Sequence, residues 1–164
     1  MSSDFFTPVA ALYGHTQAVT SVNLSADGRF ALSGSADQTL CLWRVDSATL
    51  LKTCKGHTQG VSDVAWTHDE RVVVSASDDG SVRLWNIERG EAIGEPLEGH
   101  LNYAYCVDAS SRTDLIVSGS FDESMRLWDS RMRRCVRVTP CHSEPVTSVS
   151  FSNDGTFIMS ASYE

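Results

Sequence analysis

Four histidines mark nearly equal intervals along the chain. His15, His57, His100 and His142 are separated by 42, 43 and 42 positions. Each of the first three is followed 22 positions later by an aspartate and 28 positions later by a tryptophan. These six residues are Asp37, Trp43, Asp79, Trp85, Asp122 and Trp128. After the fourth histidine the 22-position interval falls on Glu164. Such a fixed period means that one supersecondary unit is repeated, three times in full and about half a time more.

Within each period, short apolar segments alternate with turns rich in Asp, Gly, Ser and Asn. Apolar and polar residues alternate along these segments, which predicts strands joined as antiparallel meanders. The predicted strands are 19–24, 30–35, 39–45, 49–54, 61–66, 71–76, 81–87, 91–97, 103–109, 114–119, 124–129, 135–139, 146–151 and 156–161. A further short strand is predicted at Thr7–Leu12, and no segment has helical periodicity. The sequence therefore predicts an all-β protein.

The period, the Gly-His pairs and the closing tryptophans resemble the WD repeat, in which each unit forms one four-stranded blade of a β-propeller. On this resemblance the chain divides into a leader with a candidate closing strand (1–13), repeat 1 (14–56), repeat 2 (57–98), repeat 3 (99–140) and an incomplete repeat 4 (141–164). The expected fold is a partial propeller of about three and a half blades. Because propellers close with about four to eight blades, we expect the N-terminal half of a larger propeller. Uncovered strand edges also predict edge-to-edge self-association.

Composition narrows the classes of partner. The net charge is −8, with 21 acidic against 13 basic residues, which argues against a general nucleic-acid binder. The sequence contains no run of about 18 apolar residues, so it predicts no membrane span. The five cysteines show no metal-binding spacing, which favours reduced thiols inside a cell and a location in the nucleus or, alternatively, the cytoplasm.

One basic cluster interrupts this acidic chain, at 131–134 and Arg137. It falls on the turn before the outer strand of repeat 3 and on that strand. A solvated edge is the simplest interpretation, and a site for an acidic peptide or nucleic acid is the alternative.

Each repeat also contains a set of His, Ser and Asp that could be drawn as a hydrolase triad. In repeat 2 the set is His57, Ser75 or Ser77, and Asp79. Because equivalent sets recur in tandem and each precedes a tryptophan, we interpret them as structural networks that satisfy buried polar groups. We therefore predict no catalytic residue, and the histidine spacing predicts no metal site and no cofactor.

The residue before each turn aspartate is predicted to face the central opening at the narrow end of the propeller. These residues are Ala36, Asp78, Phe121 and Tyr163. A purely structural position would be more uniform. Aromatic rings beside one carboxylate can hold a guanidinium by stacking and by charge-assisted hydrogen bonds.

Four segments carry a more specific resemblance: GVSDVAW (60–66), VSASDDGSVRLW (74–85), LIVSGSFDES (115–124) and HSEPVTSVSF (142–151). They resemble the will-die-slowly group, the WD-repeat subunits of MLL-type (COMPASS-like) histone methyltransferase complexes. That resemblance implies a seven-bladed, non-catalytic scaffold whose central opening accepts an arginine from a histone tail or from the methyltransferase. The implied pocket residues are Ala18, Thr20, Ala36, Ser62, Asp78, Tyr105, Phe121 and Tyr163. Thr20 stands where the group has Ser, and Tyr105 stands where it has a stacking Phe.

The same resemblance places a second stacking aromatic, and the groove for another core subunit, in blades that follow these repeats. Other functions stay open at this point. A WD-repeat adaptor outside chromatin, such as a ubiquitin-ligase substrate receptor or a trafficking component, is the main alternative. An enzyme, or a fragment without a function of its own, are the remaining ones.

Overall fold

The computed structural model describes residues 10–163, and all regular structure in this range is β-strand. Blade 1 consists of β1 (Val19–Leu24), β2 (Phe30–Ser35), β3 (Thr39–Arg44) and β4 (Thr49–Lys55). Blade 2 consists of β5 (Val61–Trp66), β6 (Val72–Ser77), β7 (Val82–Asn86) and β8 (Glu91–Ala92). Blade 3 consists of β9 (Ala104–Ala109), β10 (Leu115–Ser120), β11 (Ser124–Asp129) and β12 (Arg134–Pro140). The half-blade consists of β13 (Val146–Phe151) and β14 (Ile158–Ser162).

Every sheet is an antiparallel meander in which sequence neighbours are also spatial neighbours. Short polar turns make this possible. In the turn between β1 and β2, Gly28 adopts a φ of 68° and its N–H donates to the carbonyl of Ser25 at 2.9 Å. Asp27 accepts the N–H of Arg29 at 2.9 Å, an Asx-type contact that favours a turn over a continuing strand.

The sheets stack face to face in chain order, with β1 against β5, β5 against β9 and β9 against β13. Apolar side chains fill each interface. Leu32 and Leu40 of blade 1 meet Val61 and Trp85 of blade 2, and all four are fully buried. Similar clusters lie between blades 2 and 3 and between blade 3 and the half-blade. The chain is therefore a partial β-propeller, as the repeat pattern predicted.

The two outermost faces of this stack have no neighbouring blade among residues 10–163. On blade 1, Val19, Val22 and Leu24 keep 52%, 63% and 58% of their surface exposed. On the half-blade, Phe157 and Met159 are likewise exposed. The blade 2 equivalents of Val19 and Val22 are Val61 and Val64, and both are buried, so the sequence pattern of a buried face continues onto the outer face of blade 1.

Tight blade-to-blade contact depends on a small residue near the end of the second strand of each blade. A Cβ built on Gly34 would lie 2.8 Å from Cγ1 of Val61, and one on Gly119 would lie 2.5 Å from Cγ1 of Val146. Blade 2 has Ala76 at the equivalent position, and Ala76 is fully buried. The packing therefore leaves room for a methyl group in one interface and not in the other two.

One carboxylate links three blades. Asp63 on β5 accepts the hydroxyl of Ser21 on β1 at 2.7 Å and the N–H of Val107 on β9 at 3.0 Å. It also accepts the N–H of Val64 at 2.9 Å. Burial raises the pKa of Asp63, although these hydrogen bonds oppose the shift.

Several predicted elements differ from the observed ones. The continuous strand predicted at 91–97 is wrong beyond Ala92, because Gly94 adopts a φ of 62° and Pro96 has no N–H to donate. Pairing resumes only at Leu97, which forms an isolated bridge with Val82. Residues 1–9 and Glu164 lie outside the described residues, and with them most of the leader and the first half of the strand predicted at Thr7–Leu12. Residues 10–12 do not form a strand.

Candidate peptide-binding face

A four-residue network fixes the loop that leads into each complete blade. In blade 2, His57 Nδ1 lies 2.8 Å from Asp79 Oδ2 and His57 Nε2 lies 2.7 Å from Ser75 Oγ. The indole N–H of Trp85 donates to Ser75 Oγ at 2.8 Å. The corresponding networks are His15, Asp37, Ser33 and Trp43 in blade 1, and His100, Asp122, Ser118 and Trp128 in blade 3. In the half-blade, His142 Nε2 lies 2.9 Å from Ser160 Oγ.

Proton accounting shows how such a network satisfies its members. Ser75 already accepts the Trp85 N–H, so its own proton is donated to His57 Nε2, which leaves the Nδ1–H of His57 to donate to Asp79. Ser75 and Trp85 have no exposed surface. Ser75 therefore offers no face to a substrate, which distinguishes the blade 2 network from a hydrolase triad despite the same residue types.

The turn aspartates are strong acceptors and stay ionised. Burial alone would raise the pKa of Asp122, but hydrogen bonds from Ser124, the N–H of Leu101 and His100 lower it to about 2. Asp37 and Asp79 are held lower in the same manner. Burial also lowers the pKa of His100, which favours the neutral ring that the network needs. These charges are internal and are not presented to a ligand.

The eight residues of the predicted arginine pocket occupy equivalent positions at one end of the blades. The hydrogen bonds and ring contacts in the described part of the chain join six of them into three pairs, each within one blade. The pairs are Ala18 with Ala36, Ser62 with Asp78, and Tyr105 with Phe121. The other two residues, Thr20 and Tyr163, take part in neither kind of pair.

Asp78 is the acidic member of this face. Its backbone N–H donates to the carbonyl of Gly60 at 2.9 Å, which holds the residue beside the start of β5. The hydroxyl of Ser62 donates to Asp78 Oδ1 at 2.6 Å and orients the carboxylate. Within residues 10–163 Asp78 forms no salt bridge with a lysine or arginine. The carboxylate therefore keeps acceptor capacity for a cation from outside.

Aromatic rings form the neighbouring part of the face. Tyr105 and Phe121 meet edge to face, with ring centroids 5.3 Å apart and planes at 65°. Tyr103 approaches Phe121 in the same geometry at 5.8 Å. Sequence reasoning missed Tyr103, although its spacing of two from Tyr105 places both side chains on the same side of the extended chain at β9. Tyr103 and Tyr105 remain 45% and 39% exposed, so ring surface is available to a ligand.

The remaining predicted pocket residues contribute less. The hydroxyl of Thr20 donates to the carbonyl of Val61 at 2.5 Å, so it ties blade 1 to blade 2. Ala18 and Ala36 are linked through their backbones, the Ala36 N–H donating to the Ala18 carbonyl at 2.9 Å. Tyr163 follows the end of β14 and is 76% exposed. The chemistry of the face is therefore concentrated in blades 2 and 3.

No group of three or more His, Cys, Asp or Glu side chains among residues 10–163 could hold a metal ion. In that same range no helix is long and apolar enough to cross a membrane.

Comparison with known proteins gives a consistent family assignment. The sequence profile described as "WD domain, G-beta repeat" (WD40) matches residues 6–44, 48–86, 91–129 and 133–164. The chain is 46% identical over 159 residues to Protein Notchless of Drosophila melanogaster, covering 93% of this chain and 32% of that protein. It is 43% identical over 147 residues to the Notchless protein homolog of Arabidopsis thaliana, covering 87% of this chain and 31% of that protein.

A third relative has a different name. The chain is 33% identical over 148 residues to Eukaryotic translation initiation factor 3 subunit I of Aspergillus terreus, covering 90% of this chain and 31% of that protein. The chain thus spans about a third of the length of these curated relatives. None of the three is named as a subunit of a histone methyltransferase complex, so the comparisons support the repeat family and do not support that narrower assignment.

Proposed function

Because the chain belongs to the WD40 repeat family, we propose that it forms part of a non-catalytic propeller scaffold that binds partner proteins. We propose further that the face formed by Asp78, Tyr103, Tyr105 and Phe121 receives an arginine side chain of a partner peptide. The observation that carries this proposal is an oriented carboxylate that has no cationic partner among residues 10–163, set on the blade next to a cluster of aromatic rings that includes the exposed Tyr103 and Tyr105.

The chemistry of a guanidinium fits this arrangement. Ser62 occupies Oδ1 of Asp78, which leaves the other oxygen and the remaining lone pair of Oδ1 for the N–H groups of an arginine. A planar guanidinium also stacks on an aromatic face, and a tyrosine provides such a face as well as a phenylalanine does. Because β5 and β9 pack against each other, the carboxylate and the rings stand at the same end of adjacent blades.

The nature of the partner is a narrower proposal. The resemblance of residues 115–124 to the will-die-slowly group supports a histone tail or methyltransferase peptide and a nuclear location. The name of the translation factor subunit supports a multisubunit assembly outside chromatin, and a cytoplasmic location. Both proposals share a scaffold that holds an arginine-bearing segment, and both assign no catalytic residue to this chain.

Fluorescence anisotropy with a labelled hexapeptide that carries one central arginine tests the proposal. Asp78→Ala is expected to weaken binding about tenfold or more, because it removes a charge-assisted hydrogen-bond partner. Asp46→Ala is the matched control, since it removes one exposed carboxylate from the turn between β3 and β4. The parent chain should bind a peptide with citrulline in place of arginine as weakly as the Asp78→Ala variant binds the arginine peptide. Equal affinity of Asp78→Ala and the parent chain for the arginine peptide would remove the assignment.

A further inference from the structure

Five of the 13 basic residues of this acidic chain lie in one segment of blade 3 that runs from β11 through the turn into β12. Residues 126–137 contain five arginines and a single acidic residue, Asp129, so this segment carries a formal charge of +4 in a chain of net charge −8. Three of the arginines are engaged. Arg126 lies over the ring of Trp128, Arg131 forms a salt bridge with Asp114, and Arg133 donates to the carbonyl of Glu95.

The other two, Arg134 and Arg137, project from β12. Both are exposed, and within the described residues neither forms a salt bridge. Val136 and Val138 on the same strand keep 53% and 46% of their surface exposed, and Met132 in the preceding turn keeps 65%. A surface that interleaves unpaired arginines with exposed aliphatic side chains has the composition of an interface more than that of a solvated rim.

The backbone of β12 is also available. Among residues 10–163, β12 pairs with β11 and with no strand on its other side. The N–H and C=O groups of β12 that face away from β11 are therefore unpaired on either side of a bulge at Val136, and Pro140 contributes only a carbonyl. The corresponding edge of blade 2 is interrupted, since β8 ends at Ala92 and Gly94 and Pro96 follow. Blade 1 has an edge strand of the same length, β4, but it carries lysines and no arginine.

We propose that β12 is a docking edge for an extended acidic segment of a partner protein, which adds to blade 3 as a fifth strand. The main chain of the partner would pair with the open edge, and its acidic side chains would meet Arg134 and Arg137. A second copy of this chain is the wrong occupant, because two β12 edges would bring two positive segments together. Nucleic acid is also disfavoured, because it cannot pair with a strand edge and the segment offers exposed valines.

Fluorescence anisotropy on the full chain provides the test, with a labelled heptapeptide of alternating Glu and Val as the probe. Arg134→Glu/Arg137→Glu is expected to weaken binding of this peptide about tenfold or more. The matched control is Thr49→Glu/Lys52→Glu, which introduces acids at the equivalent positions of β4 and should leave binding within about twofold. The same peptide with alternate amide nitrogens methylated removes strand pairing while keeping every side chain, and it should bind about tenfold or more weakly.

The proposal and the arginine pocket fail independently. The double glutamate variant is expected to keep its affinity for the arginine hexapeptide and its circular dichroism spectrum, which shows that it folds. No binding of the Glu-Val peptide overturns the docking edge, as does equal binding by the double variant or by the methylated peptide. Binding of a single-stranded oligouridine probe, lost in the double variant while the Glu-Val peptide does not bind, would reassign the patch to nucleic acid.

Discussion

Replacing Ser75 by alanine removes the hydroxyl at the centre of the blade 2 network and makes no other change of comparable size in the side chain. The change leaves two buried polar groups without a partner, the indole N–H of Trp85 and Nε2 of His57. Both side chains are fully buried in the blade, so water does not replace the lost hydroxyl. An unsatisfied buried donor or acceptor costs about 1–3 kcal/mol. We therefore expect Ser75→Ala to lower the free energy of unfolding by about 2–5 kcal/mol.

Blade 1 provides the control, because Ser33 makes the same two hydrogen bonds in a different setting. Ser33 and Trp43 are only 5% and 3% exposed, but they line a groove of about 340 Å³ on the outer face of blade 1, together with Leu12 and Val22. Solvent in that groove can replace part of what the hydroxyl provides. Ser33→Ala is thus expected to cost about 1 kcal/mol or less.

Urea unfolding followed by circular dichroism measures both variants. In ¹⁵N-labelled protein the indole N–H signals add a local reading, and that of Trp85 should shift and lose protection from exchange in Ser75→Ala. A cost for Ser75→Ala that is equal to or smaller than that of Ser33→Ala would refute the reasoning. It would mean that burial does not govern the contribution of these networks.

Two further predictions concern packing and pH. Gly119→Ala should lower the free energy of unfolding by about 1–3 kcal/mol, because the new methyl group would overlap Val146 and Cys106. Thermal unfolding measures this cost, and Ala76→Gly, the reverse substitution in blade 2, serves as the comparison. A Gly119→Ala chain at least as stable as the parent would contradict the packing argument. Stability should fall on acidification in two steps. Below about pH 6.5 the unfolded state gains stability, because burial lowers the folded pKa of His100 and the ring therefore takes up its proton more readily in the unfolded chain. Between about pH 4 and 2 the unfolded state gains again, because the folded pKa of Asp122 is depressed to about 2. The urea midpoint at pH 7, 5 and 3 measures this, and a midpoint that does not move would contradict it.

The sequence predicts the fold well where the repeats are regular. The interval from histidine to tryptophan fixes the phase of each unit, and the alternation of apolar residues then places the strands to within a residue or two in blades 1 and 3. The prediction fails in the outer strand of blade 2, where apolar and charged residues fit a strand but Gly94 and Pro96 do not. There the local backbone preference outweighs the repeat pattern.

The residues of the candidate site could be predicted less completely from the sequence. Position within the repeat selects Asp78 and Phe121, whereas Tyr105 and Thr20 are implied by the family resemblance. The hydroxyl of Thr20 binds Val61 of the next blade. Neither signal identifies Tyr103, whose contact with Phe121 depends on how the chain approaches β9. Asp63 was overlooked as well, because a single aspartate in a strand has a role only once its neighbours in other blades are known. The available signal was a carboxylate inside an otherwise apolar strand.

Asp63 also bears on how the blades respond to stress. A repeat array in which units touch only their neighbours behaves as a one-dimensional chain of nearest-neighbour couplings, and its ends can fray one unit at a time. The carboxylate of Asp63 on blade 2 adds a coupling that spans three blades, because it binds Ser21 of blade 1 and Val107 of blade 3 at the same time. Opening blade 1 or blade 3 alone breaks a bond of this shared group. We therefore expect blades 1 to 3 to open as one cooperative unit, whereas the half-blade beyond them is tied to blade 3 by Asp108, which accepts the N–H of Phe151 at 2.7 Å.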